Sequence, residues 1–300
     1  MASNTINDSG LKQFLPTDYS TMLGNNSNLC SHWNTFFQSF NQLSSNEVEH
    51  RNSGLLRLLK ENGVTYNIYD DPAGLNRAWQ LDLLPTIICK EEWATIESGL
   101  IQRAELLNLI LKDIYGEKKL FKNGLLPMAP IYRHPGFLRQ CDGIELPGKN
   151  SLVFYAADMA RGVDGKIWIV SDRTQAPSGY GYALENRTAI ARVLPELFTG
   201  LKVRWLSPFF NSVSNALIGL APKKQQQNPR VVILTPGPSN ETYFEHSYLS
   251  SYLGFTLVEG NDLVVKDNYV WLKTLEGLER IDVIMGRVDD IYCDPLELKG

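Results

Sequence analysis

The chain has 300 residues, 43% of them apolar and 21% charged, with a formal net charge of -4. That length and balance fit a globular protein of one large or two ordinary domains. They argue against nucleic acid or an anionic membrane surface as the main partner, and no apolar run approaches the ~18 residues that cross a bilayer.

The stretch MASNTINDSGLKQF has no cationic start followed by an apolar run, so it does not read as a signal peptide. Cys30, Cys89, Cys141 and Cys293 are widely spaced without a CxxC pair. Such spacing fits reduced thiols in a cytoplasmic protein rather than a disulfide frame or a zinc site.

Residues 1–30 are rich in Asn, Ser and Thr and are expected to pack loosely. His32–Phe40 sets Trp33, Phe36, Phe37 and Phe40 at helical spacing, as a packing stripe does. Glu47–Asn62 reads as an amphipathic helix with Gly63 at its left-handed stop. Val64–Tyr69 alternates as a strand, Leu81–Cys89 reads as a second strand, and Glu91–Leu111 as a long helix.

Leu152–Ala157 is expected to be a strand ending at Asp158, and the Asp164-Gly165 turn joins that region to a strand over Lys166–Val170. Helical spacing runs through Ala183–Leu197, Ile190–Leu201 and Phe209–Leu220. Ala221–Pro229 is polar and bracketed by prolines, which marks a linker between a region over 31–222 and a unit over 230–300. The second unit reads as strand Arg230–Thr235, helix Asn240–Leu253 stopped by Gly254, and strands Phe255–Val258, Leu263–Val265, Tyr269–Leu272 and Arg280–Met285. The order of elements is that of a mixed α/β protein.

Chemistry-bearing residues gather around Gly165–Arg187. A strand there ends in Ser171, Asp172, Arg173, Thr174 and Gln175, then Ala176-Pro177-Ser178-Gly179 turns, with Ser178 a candidate helix cap. Gly179-Tyr180-Gly181 is half of a dinucleotide fingerprint, but Leu184 stands where a third small residue belongs. No GxxxxGK[ST] occurs, Ser178 is not in GxSxG, and the four histidines lack metal-ligand spacing. What remains is a set of carboxylates, Asp158, Asp172, Glu185, Asp289 and Asp290, whose hard oxygens suit Mg²⁺. Arg133, Arg139, Arg161, Arg187 and Arg287 could clamp an acidic substrate. For any single member, a structural salt bridge is the commoner role.

Asp172–Arg187, Leu234–Leu253 and Arg280–Leu298 resemble the circularly permuted ATP-grasp proteins of the second type, relatives of glutathionylspermidine synthetase and eukaryotic glutathione synthetase. Gly63–Tyr69, Trp79–Pro85 with Ile96–Asn108, and His134–Asp142 extend the likeness, which runs from about Trp33 to Gly300. The resemblance implies a permuted ATP-grasp fold with a small Rossmann-like pre-ATP-grasp unit over 230–300. It implies a ligase using ATP and Mg²⁺ to join a small-molecule or peptide carboxylate to an amine through an acyl phosphate.

On this reading Asp172 is the metal ligand, and Ser178, Asn240 and Glu241 lie on the substrate side with Arg187. Arg133 and Arg287 are the catalytic candidates. Ser171 and Arg173 stand where the glutathione-synthetase branch has a metal-binding Glu-x-Asn pair, so that only Asp172 supplies a carboxylate there. Permutation places the nucleotide-clamping lysines further C-terminal. The 300 residues thus resemble the N-terminal part of a longer ligase, expected to turn over ATP weakly alone. The alternative is a catalytically inactive binding or scaffold protein on the same fold.

Overall fold

The computed structural model describes residues 22, 30–66, 78–148, 150–222, 228–289 and 293. Helix α1 (Ser31–Phe40) turns the aromatic stripe inward, with Trp33, Phe36 and Phe37 buried. Helix α2 (Ser45–Glu61) starts in a capping box between Ser44 and Glu47 and ends before Gly63, which adopts φ +67° as a left-handed stop requires. Helices α3 (Lys90–Tyr115), α4 (Lys119–Lys122) and α5 (Met128–Tyr132) follow. Asp113 holds α4 to α3 by accepting the backbone N–H groups of Lys119 and Leu120, both at 2.8 Å.

Strands β1 (Ala156–Arg161) and β2 (Ile167–Arg173) pair antiparallel through the Asp164-Gly165 turn, with Gly165 at φ +78°. The register shifts between Asp158 and Met159, where Val170 is the extra residue on β2. Helices α6 (Tyr180–Val193), α7 (Pro195–Leu201) and α8 (Ser207–Gly219) lead to β3 (Val231–Leu234). Helix α9 (Tyr243–Leu253), stopped by Gly254 at φ +72°, connects β3 to the parallel strand β4 (Thr256–Val258). Strands β5 (Leu263–Lys266), β6 (Tyr269–Thr274) and β7 (Gly277–Arg280) form an antiparallel sheet, and β8 (Val283–Gly286) joins β3 in parallel. Asp267 and Asn268, at φ +53° and +61°, make the tight β5–β6 turn.

Three expected strands differ. Leu81–Cys89 is irregular: Leu83 is buried and Leu81 and Ile87 pack beside it, so burial rather than a ladder accounts for its apolar residues. Pro85, lacking an N–H, also disfavours a central strand. At 152–157 the backbone N–H groups of Ser151 and Leu152 donate to the Asn108 side chain of α3 at 2.8 and 3.0 Å, so the ladder begins only at Ala156. Arg280–Met285 divides between two sheets: β7 ends at Arg280, and β8 starts at Val283. Of the strand expected over 64–69, Thr65 makes an isolated bridge with Ala78, while residues 67–69 lie outside the described residues, as do 223–227 of the expected linker.

One apolar cluster joins α1, α2, α6 and α7 through Trp33, Phe36, Leu55, Leu59, Ala189 and Leu197. A second packs Leu184 of α6 and Phe210, Val213 and Leu217 of α8 against Val231, Ile233, Leu249, Val283 and Met285. The second cluster spans both sides of the 221–229 segment and brings the start of α6 against α9 and the parallel sheet.

Candidate functional site

The turn from β2 to α6 is pinned from below by the parallel sheet. Ala176 sits at φ +37°, which an L-residue rarely adopts, and Gly179 at φ +112°. Ser178 is exposed and makes no capping hydrogen bond; Gly179 is the N-cap of α6. The start of α6 is instead met by a carboxylate from another helix. Glu245 of α9 accepts the backbone N–H groups of Gly179 and Gly181 on Oε1, each at 2.7 Å. Any side chain at Gly181 would collide with it, since a Cβ there would lie 2.7 Å from Glu245 Cγ. The Gly-x-Gly motif thus holds an internal anion.

Arg287, just beyond β8, completes the clamp. Its backbone N–H donates to Leu234 O at 2.8 Å, extending the sheet. Its guanidinium donates to Pro177 O at 2.8 Å and to Glu245 Oε2 at 3.3 Å. The Arg287 and Glu245 side chains are 4% and 0% exposed. Burial pushes the Glu245 carboxyl up, while the Gly181 N–H and the Arg287 guanidinium pull it back toward the ionised form. Tyr180, at the first position of α6, is half-buried beside this pair with its hydroxyl turned inward, and burial pushes its phenol up to about 12.

Residues 235–242, between β3 and α9, carry Asn240 and Glu241 over the same end of the sheet. Helix α9 begins at Tyr243, later than the expected Asn240, with Thr242 as N-cap. His246 is 1% exposed and bridges Thr235 Oγ1 at 2.9 Å and Thr242 Oγ1 at 3.1 Å. Burial is the main cause holding its pKa down at about 3, and Arg287 adds to it. Burial and the nearby Glu241 carboxylate raise the Tyr66 phenol, and Arg173 opposes them. Glu241 and the end of β2 thus act on one shared neighbour.

On the ribbon, Asp172 faces α3. Arg103 donates Nε and Nη2 to its two oxygens, both at 2.6 Å, and Tyr155 donates to Oδ1 at 2.7 Å. These donors, Arg103 first, hold the Asp172 carboxyl down to about 2. The residues that flank Asp172 on β2 turn to the opposite face, where Ser171 donates to Asp158 and Arg173 Nε pairs with Asp158 Oδ2 at 2.9 Å. Arg103, Tyr155, Glu245 and Tyr180 were not among the candidates.

The other candidates lie elsewhere. Arg187 sits over two turns into α6, donates to Arg204 O at 2.8 Å and lies 5.8 Å from the centre of the Phe198 ring. Arg133 is exposed at the end of α5, beside an aromatic group formed by Tyr115, Phe121, Tyr132 and Phe137, and no described contact joins it to the Ser178 turn. Arg161 pairs with Glu92 of α3 at 2.5 Å. Glu185 is buried and accepts from Asn62 at 2.6 Å. Asp290 lies outside the described residues. The structure therefore brings Ser178, Asn240, Glu241 and Arg287 to one end of the parallel sheet, and leaves Arg133 and Arg187 away from it.

A family model described as circularly permuted ATP-grasp type 2 matches residues 85–300. The chain belongs to that family. Among its relatives, the uncharacterized protein Rv2567 of Mycobacterium tuberculosis is 41% identical over 251 residues, covering 81% of this chain and 28% of that protein. The uncharacterized protein sll0335 of Synechocystis is 39% identical over 233 residues, covering 78% of this chain and 48% of its own. A second M. tuberculosis protein, Rv2411c, is 36% identical over 256 residues, with 85% and 46% covered. The chain thus spans about a quarter to half the length of these relatives.

ATP-grasp proteins are in general ATP-dependent ligases, and the family points to ATP and Mg²⁺. The described residues do not fit the metal: no three His, Cys, Asp or Glu side chains among them come together, and Asp172 and Asp158 are each engaged by an arginine and a hydroxyl. Cavities of about 280 and 350 Å³ lie at Tyr132–Asp142 and Phe40–Glu49, neither on the Ser178 turn.

Proposed function

We propose that this chain is the substrate-holding part of an ATP-dependent carboxylate–amine ligase, which forms an amide through an acyl phosphate. The observation that carries the reading is the ATP-grasp match over 85–300, a span that contains the whole Ser178–Glu245–Arg287 assembly. Ser178 is the exposed hydroxyl of a turn whose backbone is pinned at both ends, which suits a group that must meet substrate in one position. Glu241 offers a carboxylate for an ammonium, and Asn240 an amide. Arg287, nearly buried and engaged with Pro177 and Glu245, holds the turn rather than touching the reacting atoms. This departs from the catalytic role expected for it.

A second reading, an inactive binding protein on the same fold, draws support from the engagement of Asp172 and Asp158 by arginines. Calorimetric titration of the full-length protein that carries this chain with amino acids and short peptides, with and without a non-hydrolysable ATP analogue and Mg²⁺, separates the two. The ligase reading expects the nucleotide with Mg²⁺ to tighten substrate binding. Binding that is indifferent to the nucleotide contradicts it and favours the second reading.

A further inference from the structure

The cavity of about 280 Å³ near the C-terminal end of α3 is lined, among the described residues, by Tyr132, Phe137, Arg139 and Asp142. Its walls are built on Tyr115, the last residue of α3. The Tyr115 hydroxyl accepts the Leu138 N–H at 3.0 Å, and its carbonyl accepts the Gly143 N–H at 2.8 Å. The loop that carries Arg139 and Asp142 is thereby tied down on both sides. The Tyr115 ring stacks on Phe137 with centres 5.1 Å apart, and Tyr132 stands at 90° to Phe137 at 4.8 Å. Two rings at right angles form a corner where a flat apolar group can stack on one and meet the edge of the other.

The polar part of the lining is asymmetric. Asp142 Oδ2 accepts from Lys118 Nζ at 2.7 Å, so its charge is already balanced. Neither the Arg139 guanidinium nor the Tyr132 hydroxyl has a hydrogen-bond or ion-pair partner among the described residues. The lining therefore carries one uncompensated positive charge, on a planar fork that matches a carboxylate. An exposed arginine is ordinarily just solvated. This one shares a cavity near the ~300 Å³ lower end of small-molecule pockets with two rings and a second open donor.

From this geometry we infer that the cavity is a binding site for a small aromatic carboxylate, a ligand with one negative charge and a flat apolar body. Arg139 takes the carboxylate, the Tyr132 hydroxyl adds a donor, and the corner of Tyr132 and Phe137 receives the ring. The charge count selects a monoanion: one guanidinium is available, and the Asp142 carboxylate beside it disfavours a second negative charge. None of these residues belongs to the Ser178–Glu245–Arg287 assembly, so the site stands whether or not the ligase reading does.

Calorimetric titration of the full-length protein that carries this chain, without nucleotide, tests it with 3-phenylpropionate as the probe. The probe is expected to bind, and 3-phenylpropionamide, which lacks the charge, and propionate, which lacks the ring, each to bind at least tenfold more weakly. Arg139→Gln should weaken the probe at least tenfold with the unfolding midpoint preserved, because the side chain is exposed and holds nothing in the fold. Phenyl phosphate, a dianion, should bind weakly to the wild type and at least tenfold more tightly to Asp142→Asn, which releases Lys118 to meet the second charge. Absence of binding by 3-phenylpropionate, or equal affinity in the wild type and Arg139→Gln, overturns the site. Propionate binding as tightly as the probe overturns the role of the rings, and phenyl phosphate indifferent to Asp142→Asn overturns the charge count. Failure of the ligase reading would appear in the nucleotide titration, which these measurements do not involve.

Discussion

A carboxylate with no solvent exposure survives at Glu245 because two backbone N–H groups and one guanidinium meet it. Glu245→Ala removes one charge from a buried pair and leaves the Arg287 guanidinium buried with Pro177 O but no counter-charge, which is expected to cost about 3–5 kcal/mol in urea unfolding. Glu245→Gln keeps an acceptor for Gly179 and Gly181 and should cost less. Gly181→Ala drives a methyl to within 2.7 Å of Glu245 Cγ and should destabilise by about 1–3 kcal/mol.

The pH response of His246 follows from the sign of its shift. Its folded pKa of about 3 lies below the ~6.5 of an unfolded chain, so the unfolded state binds more protons between those values. Its contribution to stability is complete above about pH 6.5 and is lost as pH falls toward 3, at no more than about 1.4 kcal/mol per pH unit. Denaturation midpoints measured from pH 7 to pH 4.5 should therefore fall more steeply in the wild type than in His246→Gln. Equal slopes would contradict this.

At the scale of elements, the ribbon of β1 and β2 is held to α3 by side chains: Arg103 with Asp172, Arg161 with Glu92, and Asn108 with the backbone at 151–152. Asp172→Asn should speed amide exchange within β2 while leaving the unfolding midpoint nearly unchanged. Long periodic elements were legible in the sequence, since the aromatic stripe of α1, the glycine that stops α2 and the Gly254 stop each have a local cause, whereas the Ser44–Glu47 box that starts α2 two residues before the expected Glu47 was missed. The misread strands at 81–89 and 152–157 are apolar runs whose backbone partners are decided elsewhere, by a core contact or by Asn108. The split at Ile281–Asp282 was hidden for the same reason: Ile281 N–H donates to Val270 O of one sheet, and Asp282 N–H to Arg230 O beside the other. The site was legible in part. Ser178, Asn240, Glu241 and Arg287 came from long motifs. Glu245 carries no sign in the sequence that its carboxylate is buried. The nearest signal was Gly179-Tyr180-Gly181, whose free N–H groups require an anion without saying which.

For the whole molecule, the decisive feature is the apolar cluster that runs from α6 and α8 across to β3, α9 and β8. Because it joins both sides of the 221–229 segment, residues at its centre should affect the entire fold. Phe210, 2% exposed, is one of them, and Phe210→Ala is expected to cost about 3–5 kcal/mol. Tryptophan fluorescence and far-ultraviolet dichroism should still report one coincident transition. This packing also sets the Ser178 turn on the C-terminal edge of a parallel sheet, a common place for open α/β sheets to hold ligands.

The most direct test of that placement is calorimetric titration of amino acids and short peptides into the wild type and into Ser178→Tyr, which fills the exposed face of the turn without touching the buried clamp. The substrate-holding account predicts binding to the wild type that the tyrosine weakens at least tenfold with the unfolding midpoint preserved. Equal affinity in the two proteins would contradict it.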